Sequence, residues 1–299
     1  DSVRLWTRVS PEGAPSEVPV FYEVALDPQF TRRVGAGTVT TSAARDYCVQ
    51  QDVSALIWGR TYYYRFQSGG RSSLVGRTRL APTDGAARLS FGVVACSNLA
   101  RGWFHAYDHL AGRDDLDAVL HMGDFIYESP SSVDMPRAHE PAHELVTLSD
   151  YRTRHAQYRR ETALQEMLRQ HPLVAIWDDH ETANDSYKDG AENHQPETEG
   201  RWDVRKAIGK RVAYEWLPTR ENADTIIYRR FAFGTLVDLL MLDTRLEGRE
   251  EQVAGVLPSS SQASKDSINN PNRTMLGTKQ FAWLTEGLRT SRSTWRVLG

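Results

Sequence analysis

Three short apolar stretches end on groups that do chemistry. "FGVVAC" delivers Cys96, "AVLHMGDFIY" delivers Asp124 and Tyr127, and "PLVAIWDDHETAND" delivers Asp178, Asp179, His180 and Glu181 in succession, with Asn184 close behind. Carboxylates and an imidazole crowded at one strand end repel and desolvate one another. A polyvalent cation removes that difficulty, because it turns the mutual repulsion of the carboxylates into shared attraction. A thiol, carboxylates, a phenol, an imidazole and an amide brought together form a metal-ligand set. Singly, each residue has a plainer reading: Cys96 a small buried hydrophobe, Asp124 a turn residue eased by Gly123, Tyr127 a core aromatic, Asp178 and Asp179 helix caps. All of these would have to hold at once on successive strand ends, and their conjunction favours the metal site.

For those ends to meet, the strands must lie in one parallel sheet, with the chemistry at its carboxyl edge. The pattern from Leu89 onward meets that requirement. "LSFGVVACS", "LDAVLHMGD" and "PLVAIW" read as buried strands, separated by helical patterns in "GWFHAYDHLAGR" and "LSDYRTRHAQYRRETALQEMLRQ". The second of these reads as one long helix that Ser149 can cap. "VRKAIGKRVAYEWLP" and "TKQFAWLTEGLRTS" read as further helices, and "IIYRRFAFG" and "LVDLLMLDTR" as two strands joined by a Gly234-Thr235 turn. "SSSQASKDSINNPNR" reads as a polar loop. Asp243 and Arg245 in "MLDTR" are expected to be structural.

Residues 1–84 follow a different rule. "VRLWTRV", "VPVFYEVAL", "GAGTVTT" and "TYYYRFQ" alternate with period two between Gly, Pro, Asp and Ser, which predicts an antiparallel sandwich of short strands. "APTDGAA" (81–87) is the linker, and the second domain is expected to run from 88 to 299.

Composition sets the outer limits. The 299 residues are 40% hydrophobic and 25% charged, with a net charge of -3 and the two signs mixed along the chain. No basic patch points to nucleic acid. The longest apolar runs fall far short of the ~20 residues of a membrane-spanning helix. The chain opens on a strand pattern with no leader signal and stops on the strand pattern "STWRVLG", so both ends are expected to be cut. Of the two cysteines, Cys48 in "DYCVQQDV" is expected to be a packed strand thiol.

"GDFIYE" and "WDDHE" together resemble the calcineurin-like metallophosphoesterases. Through "SVRLWTRVSPEG", "VGRTRLAP", "FGVVACSN", "DYRTRHAQYR", "WDDHETAND", "YEWLP" and "RTMLGTKQFAWL", nearly the whole chain resembles the PhoD-like alkaline phosphatase/phosphodiesterase family. That resemblance implies an N-terminal all-β, fibronectin III-like sandwich before a four-layer α-β-β-α metallophosphoesterase domain. It also implies a hydrolase of phosphate esters, usually secreted or periplasmic in bacteria. Cys96, Asp124 and Tyr127 match the ligands of Fe3+, and Asp124 would bridge to divalent metals, Ca2+ or Zn2+. Asn184 is the expected ligand of the second metal, with Asp179 either a ligand or a support. His180 matches the catalytic histidine that contacts substrate or leaving group, and Asp179 is counted with it. Asp178 and Glu181 would orient the ligands. The implied mechanism is metal-assisted hydrolysis, with activated water attacking phosphorus in line.

The superfamily's late Gly-Asp-x-His turn and its last ligand histidines do not occur here. His194, the last histidine, lies in a polar loop. The encoded centre is therefore expected to be C-terminally incomplete, either truncated or completed by a C-terminal fragment of the same precursor. Phosphodiesters are the expected substrates, including phospholipids cleaved on the head-group side. Alkaline phosphomonoesterase activity is the alternative, and a non-catalytic binding fragment the alternative of another class. "GWFHAYDH" either lines a substrate mouth with Trp103 and Phe104 or is an ordinary amphipathic helix.

Overall fold

Alternation with period two builds the first unit. Its strands are β1 (Val3–Arg8), β2 (Val18–Ala25), β3 (Arg33–Thr41), β4 (Cys48–Val53), β5 (Thr61–Ser68), β6 (Arg71–Ser72) and β7 (Gly76–Arg79). The computed structural model describes residues 2–253 and 260–299. β1 pairs with β4, while β3-β2-β5-β6 form a second sheet in which β7 also pairs with β5, all antiparallel. Val18, Val20 and Val24 of β2 share a core with Tyr62 and Phe66 of β5 and with Leu5, Val49 and Val53 of the other sheet.

The second unit contains β8 (Phe91–Val94), α1 (His105–Ala111), β9 (Ala118–His121), α2 (Leu148–Tyr158), α3 (Thr162–Gln170) and β10 (Leu173–Ala175). These are followed by α4 (Pro196–Glu199), α5 (Trp202–Trp216), β11 (Arg229–Phe233), β12 (Val237–Met241), α6 (Gln262–Ile268), α7 (Gly277–Thr290) and β13 (Trp295–Leu298). One sheet is parallel, in the order β10-β9-β8; the other, β11-β12-β13, is antiparallel at its first pair and parallel at its second. Every residue of β9 is buried, as expected for a central parallel strand covered on both faces. One large core joins the two sheets: Phe91 of β8 meets Phe233 of β11 edge to face at 5.0 Å, and Leu239 and Met241 lie among Val119, Leu120 and Val174.

The sandwich docks on the end of α5. Trp6 Nε1 donates to the Glu215 carbonyl at 2.9 Å, Gln50 Nε2 to those of Tyr214 and Leu217, and Arg4 to that of Thr219. The last turn of a helix leaves carbonyls without partners inside the helix, and the sandwich supplies their donors. Cys48 is a buried free thiol, packed into the larger core from β4.

The structure differs from the sequence expectation at three places. The single long helix is two, α2 and α3, broken at Arg159–Glu161, where Glu161 adopts an extended conformation and α3 redirects to bury Leu164 and Met167. Thr147, not Ser149, caps α2, in a reciprocal capping box with Asp150. The polar loop read over 259–273 contains α6, capped by Ser261. It buries none of its residues, so it has no apolar stripe for a periodicity reading to detect; Ser259 lies outside the described residues.

Candidate metal centre

Register decides where the chemistry meets. Val94, His121 and Ala175 stand side by side across β8, β9 and β10. Cys96, Asp124 and Asp178 follow within three residues of that row, so all three leave the same sheet edge. The turns are tight and non-helical: Cys96, Asp124 and Asp185 adopt positive φ of 56°, 53° and 52°. Such conformations cost energy and persist where the surroundings over-determine them. Gly123 turns at φ 103°, and a Cβ there would come within 2.6 Å of Asp178 Cβ and closer still to its amide nitrogen. Glycine is what allows the β9 and β10 loops to touch.

Glu181 ties those loops from below. Buried and without a salt-bridge partner among the described residues, it accepts from the backbone N–H groups of Asp124 (3.1 Å), Phe125 (2.5 Å) and Asp178 (2.8 Å). Burial and the charge of Asp124 push its carboxyl up to about 8, against the pull of those three donors. Cys96 N donates to the Gly123 carbonyl and Ser97 N to that of Asp124, which fastens the β8 loop to the same turn.

Above this floor the side chains converge. Donor atoms of Asp124, Asp179 and His180 lie within 4.8 Å of one another. Tyr127 Oη donates to Asp124 Oδ2 at 3.1 Å, while Cys96, an exposed free thiol, stands beside them outside the group of three. Burial raises the carboxyl pKa of Asp124 and Asp179, and burial followed by the Asp124 charge raises those of the Cys96 thiol and the Tyr127 phenol. The cluster thus holds anionic donors that repel one another's ionisation, which is the electrostatics a bound cation reverses. Carboxylate and imidazole donors, with a phenol and a thiol beside them, fit a transition-metal ion. The His180 ring packs against Tyr127 with centroids 4.1 Å apart and planes tilted by 32°.

The two family models that match describe a PhoD-like phosphatase, over residues 91–299, and a PhoD-like phosphatase N-terminal domain, over residues 1–82. The chain belongs to the PhoD-like phosphatase family. It is 36% identical over 316 residues to alkaline phosphatase D of Bacillus subtilis (strain 168), covering all of this chain and 53% of that protein. It superposes on a solved structure of PhoD with a TM-score of 0.90 at 36% identity, over 100% of this chain and 59% of that one. A purple acid phosphatase, PPD1 from yellow lupin seeds, shares the fold at a TM-score of 0.59 and 13% identity, over 100% of this chain and 48% of that one. The chain spans about half the length of the curated relative it matches.

Not every residue singled out in this PhoD-like sequence stands in the cluster. Asn184 N is held by Glu128 Oε1 at 2.8 Å, but its carboxamide donates to Glu192 at 3.0 Å rather than to Asp124 or Asp179. Asp178 and Asp179 share Arg245, at 2.6 Å from Asp178 and 3.4 Å from Asp179, while Asp243 accepts from the backbone of Arg245 and Leu246 and so holds that loop. Phe104 is core, against Tyr107 and Tyr158; Trp103 is 64% exposed and carries Arg137 over its ring. His194 is buried beside Glu199 and Trp202.

Two residues escaped the sequence reading. Glu128, wholly buried, accepts from His180 Nδ1 at 2.6 Å and from Asn193, and with Asn184 it braces the third strand end. Burial would lower the His180 pKa, but the Glu128 bond and charge override it and push it up to about 9. Arg154, also buried, donates to the carbonyls of Tyr127, Ser129, Glu140 and Pro141, pinning the loop that follows Tyr127. The available signal for Glu128 was an acid ending the apolar run "DFIYE".

Proposed function

We propose that this site hydrolyses phosphate esters with the help of Fe3+ and a divalent metal, Ca2+ or Zn2+, phosphodiesters being the preferred class. The observation that carries the reading is the convergence of Asp124, Asp179 and His180, with Tyr127 bonded to Asp124, at the edge of the parallel sheet where Cys96 also emerges. When bound, the metals supply Lewis-acid neutralisation of the phosphoryl oxygens and acidify water. Cys96, Asp124 and Tyr127 would hold the ferric ion, and Asp124, Asp179 and Asn184 would serve the divalent position, Asn184 only in a rotamer other than the one that donates to Glu192. His180, oriented by Glu128 through Nδ1, keeps Nε2 for the phosphoryl or leaving-group oxygen. Arg245 restrains Asp178 and Asp179 so that their carboxylates keep a fixed geometry.

In the same reading the first 84 residues are a fibronectin III-like sandwich. Residues 88–299 belong to a four-layer α-β-β-α domain, which is supported by two sheets sharing one core, with α7 packed on Leu240 through Gly287. Further ligands come from a C-terminal fragment of the same precursor, in keeping with coverage of 53% of the relative. A secreted or periplasmic setting and phospholipid head groups among the substrates follow from the family resemblance.

The test compares bis-p-nitrophenyl phosphate with p-nitrophenyl phosphate, using wild-type protein and Asp124→Ala. Turnover of the diester that disappears in the variant, with the circular dichroism spectrum retained, supports the reading. Turnover unchanged in Asp124→Ala, or none in the metal-replete wild type, refutes it.

A further inference from the structure

The two units enclose a cleft of about 470 Å³ between β1, β5 and β7 on one side and α2, α3 and the end of α5 on the other. That is an ordinary size for a small-molecule site. Arg4, Arg8, Arg77, Arg159, Arg160 and Arg169 all line it. Four of them have carboxylate partners: Arg4 with Asp52 at 2.5 Å, Arg8 with Asp46 at 3.0 Å, Arg160 with Glu140 at 2.6 Å, and Arg169 with Glu166. Arg77 and Arg159 have none among the described residues. Arg77 Nε donates only to the Gln170 carbonyl, at 3.1 Å. Arg159 Nη2 donates to the Trp216 carbonyl, and its buried Nε has no partner among the described residues.

Arg159 also sits where a lone cation is costly. Its guanidinium lies 4.2 Å over the Trp6 ring and 5.3 Å from that of Phe125. Although the residue is only half-buried by area, enclosure among these rings pushes its pKa down to about 10. Aromatic faces offset part of that cost; a charge-assisted bond to an oxyanion would offset more. Trp6, Tyr64 and Leu173 give the cleft apolar walls beside the two unmatched cations.

We propose that this cleft binds a small organic oxyanion with a flat apolar body, of the aryl phosphate or phosphonate kind. Its anionic head is taken by Arg77 and Arg159, and its body lies against Trp6 and Tyr64. The site uses none of the metal-centre residues and does not depend on the hydrolase reading.

The test titrates the purified protein with phenylphosphonate, with and without EDTA, following tryptophan fluorescence and the thermal midpoint. Saturable binding that survives EDTA is expected, with a rise in Tm, because a ligand bound only by the folded form stabilises it. Arg77→Gln removes one cation, and Ala156→Phe fills the cleft from α2 while leaving Arg159 on Trp6. Each variant is expected to weaken binding at least tenfold, about 1.4 kcal/mol. Binding lost on chelation, or unchanged in both variants, would put the phosphonate at the metal centre and overturn the proposal. So would the absence of saturable binding, which would leave Arg159 as a cation stacked between two units and nothing more.

Discussion

His180 Nδ1 lies 2.6 Å from Glu128 Oε2, and Glu128 is completely buried. The carboxylate accepts the Nδ1–H, favours the protonated ring and fixes which way the imidazole faces, directing Nε2–H into the site. Glu128 also holds the Asn184 amide and the Asn193 side chain, so a single buried acid braces the whole turn after β10.

Glu128→Gln should therefore impair turnover without dismantling the cluster. We expect kcat on a phosphodiester to fall about 10–100-fold with KM little changed, the size usual for residues that orient a metal-site histidine. The same variant should lower the His180 pKa from about 9, because the charge that raises it is gone. NMR titration of the imidazole reads this directly, and an unmoved pKa would deny Glu128 its positioning role.

Gly123→Ala tests the close approach of the two loops. At φ 103° the added methyl is strained and meets Asp178. We expect a loss of more than about 1 kcal/mol in urea unfolding, together with weaker metal retention. Wild-type stability in this variant would mean that the loops can separate freely.

Legibility in the sequence divides along physical lines. The ends carrying Cys96, Asp124 and Asp178 were readable because parallel strands are continuous apolar runs whose ends share an edge. The pairing of Glu128 with His180 and of Arg245 with Asp178 was not, since the partners are 52 and 67 residues apart and only the tertiary fold joins them. The break in the helix at Arg159 was hidden because the residues there are good helix formers. What turns the chain is the burial of Leu164 and Met167 and the docking of Arg159 on Trp6 and the Trp216 carbonyl. Sandwich docking was equally hidden, because its acceptors are backbone carbonyls at the end of α5, which no side-chain pattern records.

Arg245 is the counter-charge of the acidic turn, 2.6 Å from Asp178 and within 3.5 Å of Asp179 and Asp185. Arg245→Gln should destabilise chelated protein by on the order of 1–3 kcal/mol and metal-loaded protein by less, since bound cations then share the neutralisation. Thermal unfolding with and without EDTA checks the difference; equal losses would separate Arg245 from the metal-binding carboxylates.

Acid stability follows from two histidines buried as neutral rings. Burial pushes His121 and His155 down to about 3 from an ordinary 6.5. The unfolded chain takes up those protons first, so their contribution is complete above pH 6.5 and is lost as pH falls towards 3, by about 1.4 kcal/mol per pH unit for each ring. His155 stacks between Phe125 and Trp216, so His155→Phe keeps the packing and should move the acid-unfolding midpoint to lower pH. An unchanged midpoint would show that His155 is already protonated or exposed.

The most direct test of the metal centre is the iron content of the purified protein, measured together with its visible spectrum. Assembly at Cys96, Asp124 and Tyr127 predicts about one iron per chain and a broad thiolate or phenolate charge-transfer band, which should shift or vanish in Tyr127→Phe. Wild-type protein with neither iron nor band would contradict the ferric site.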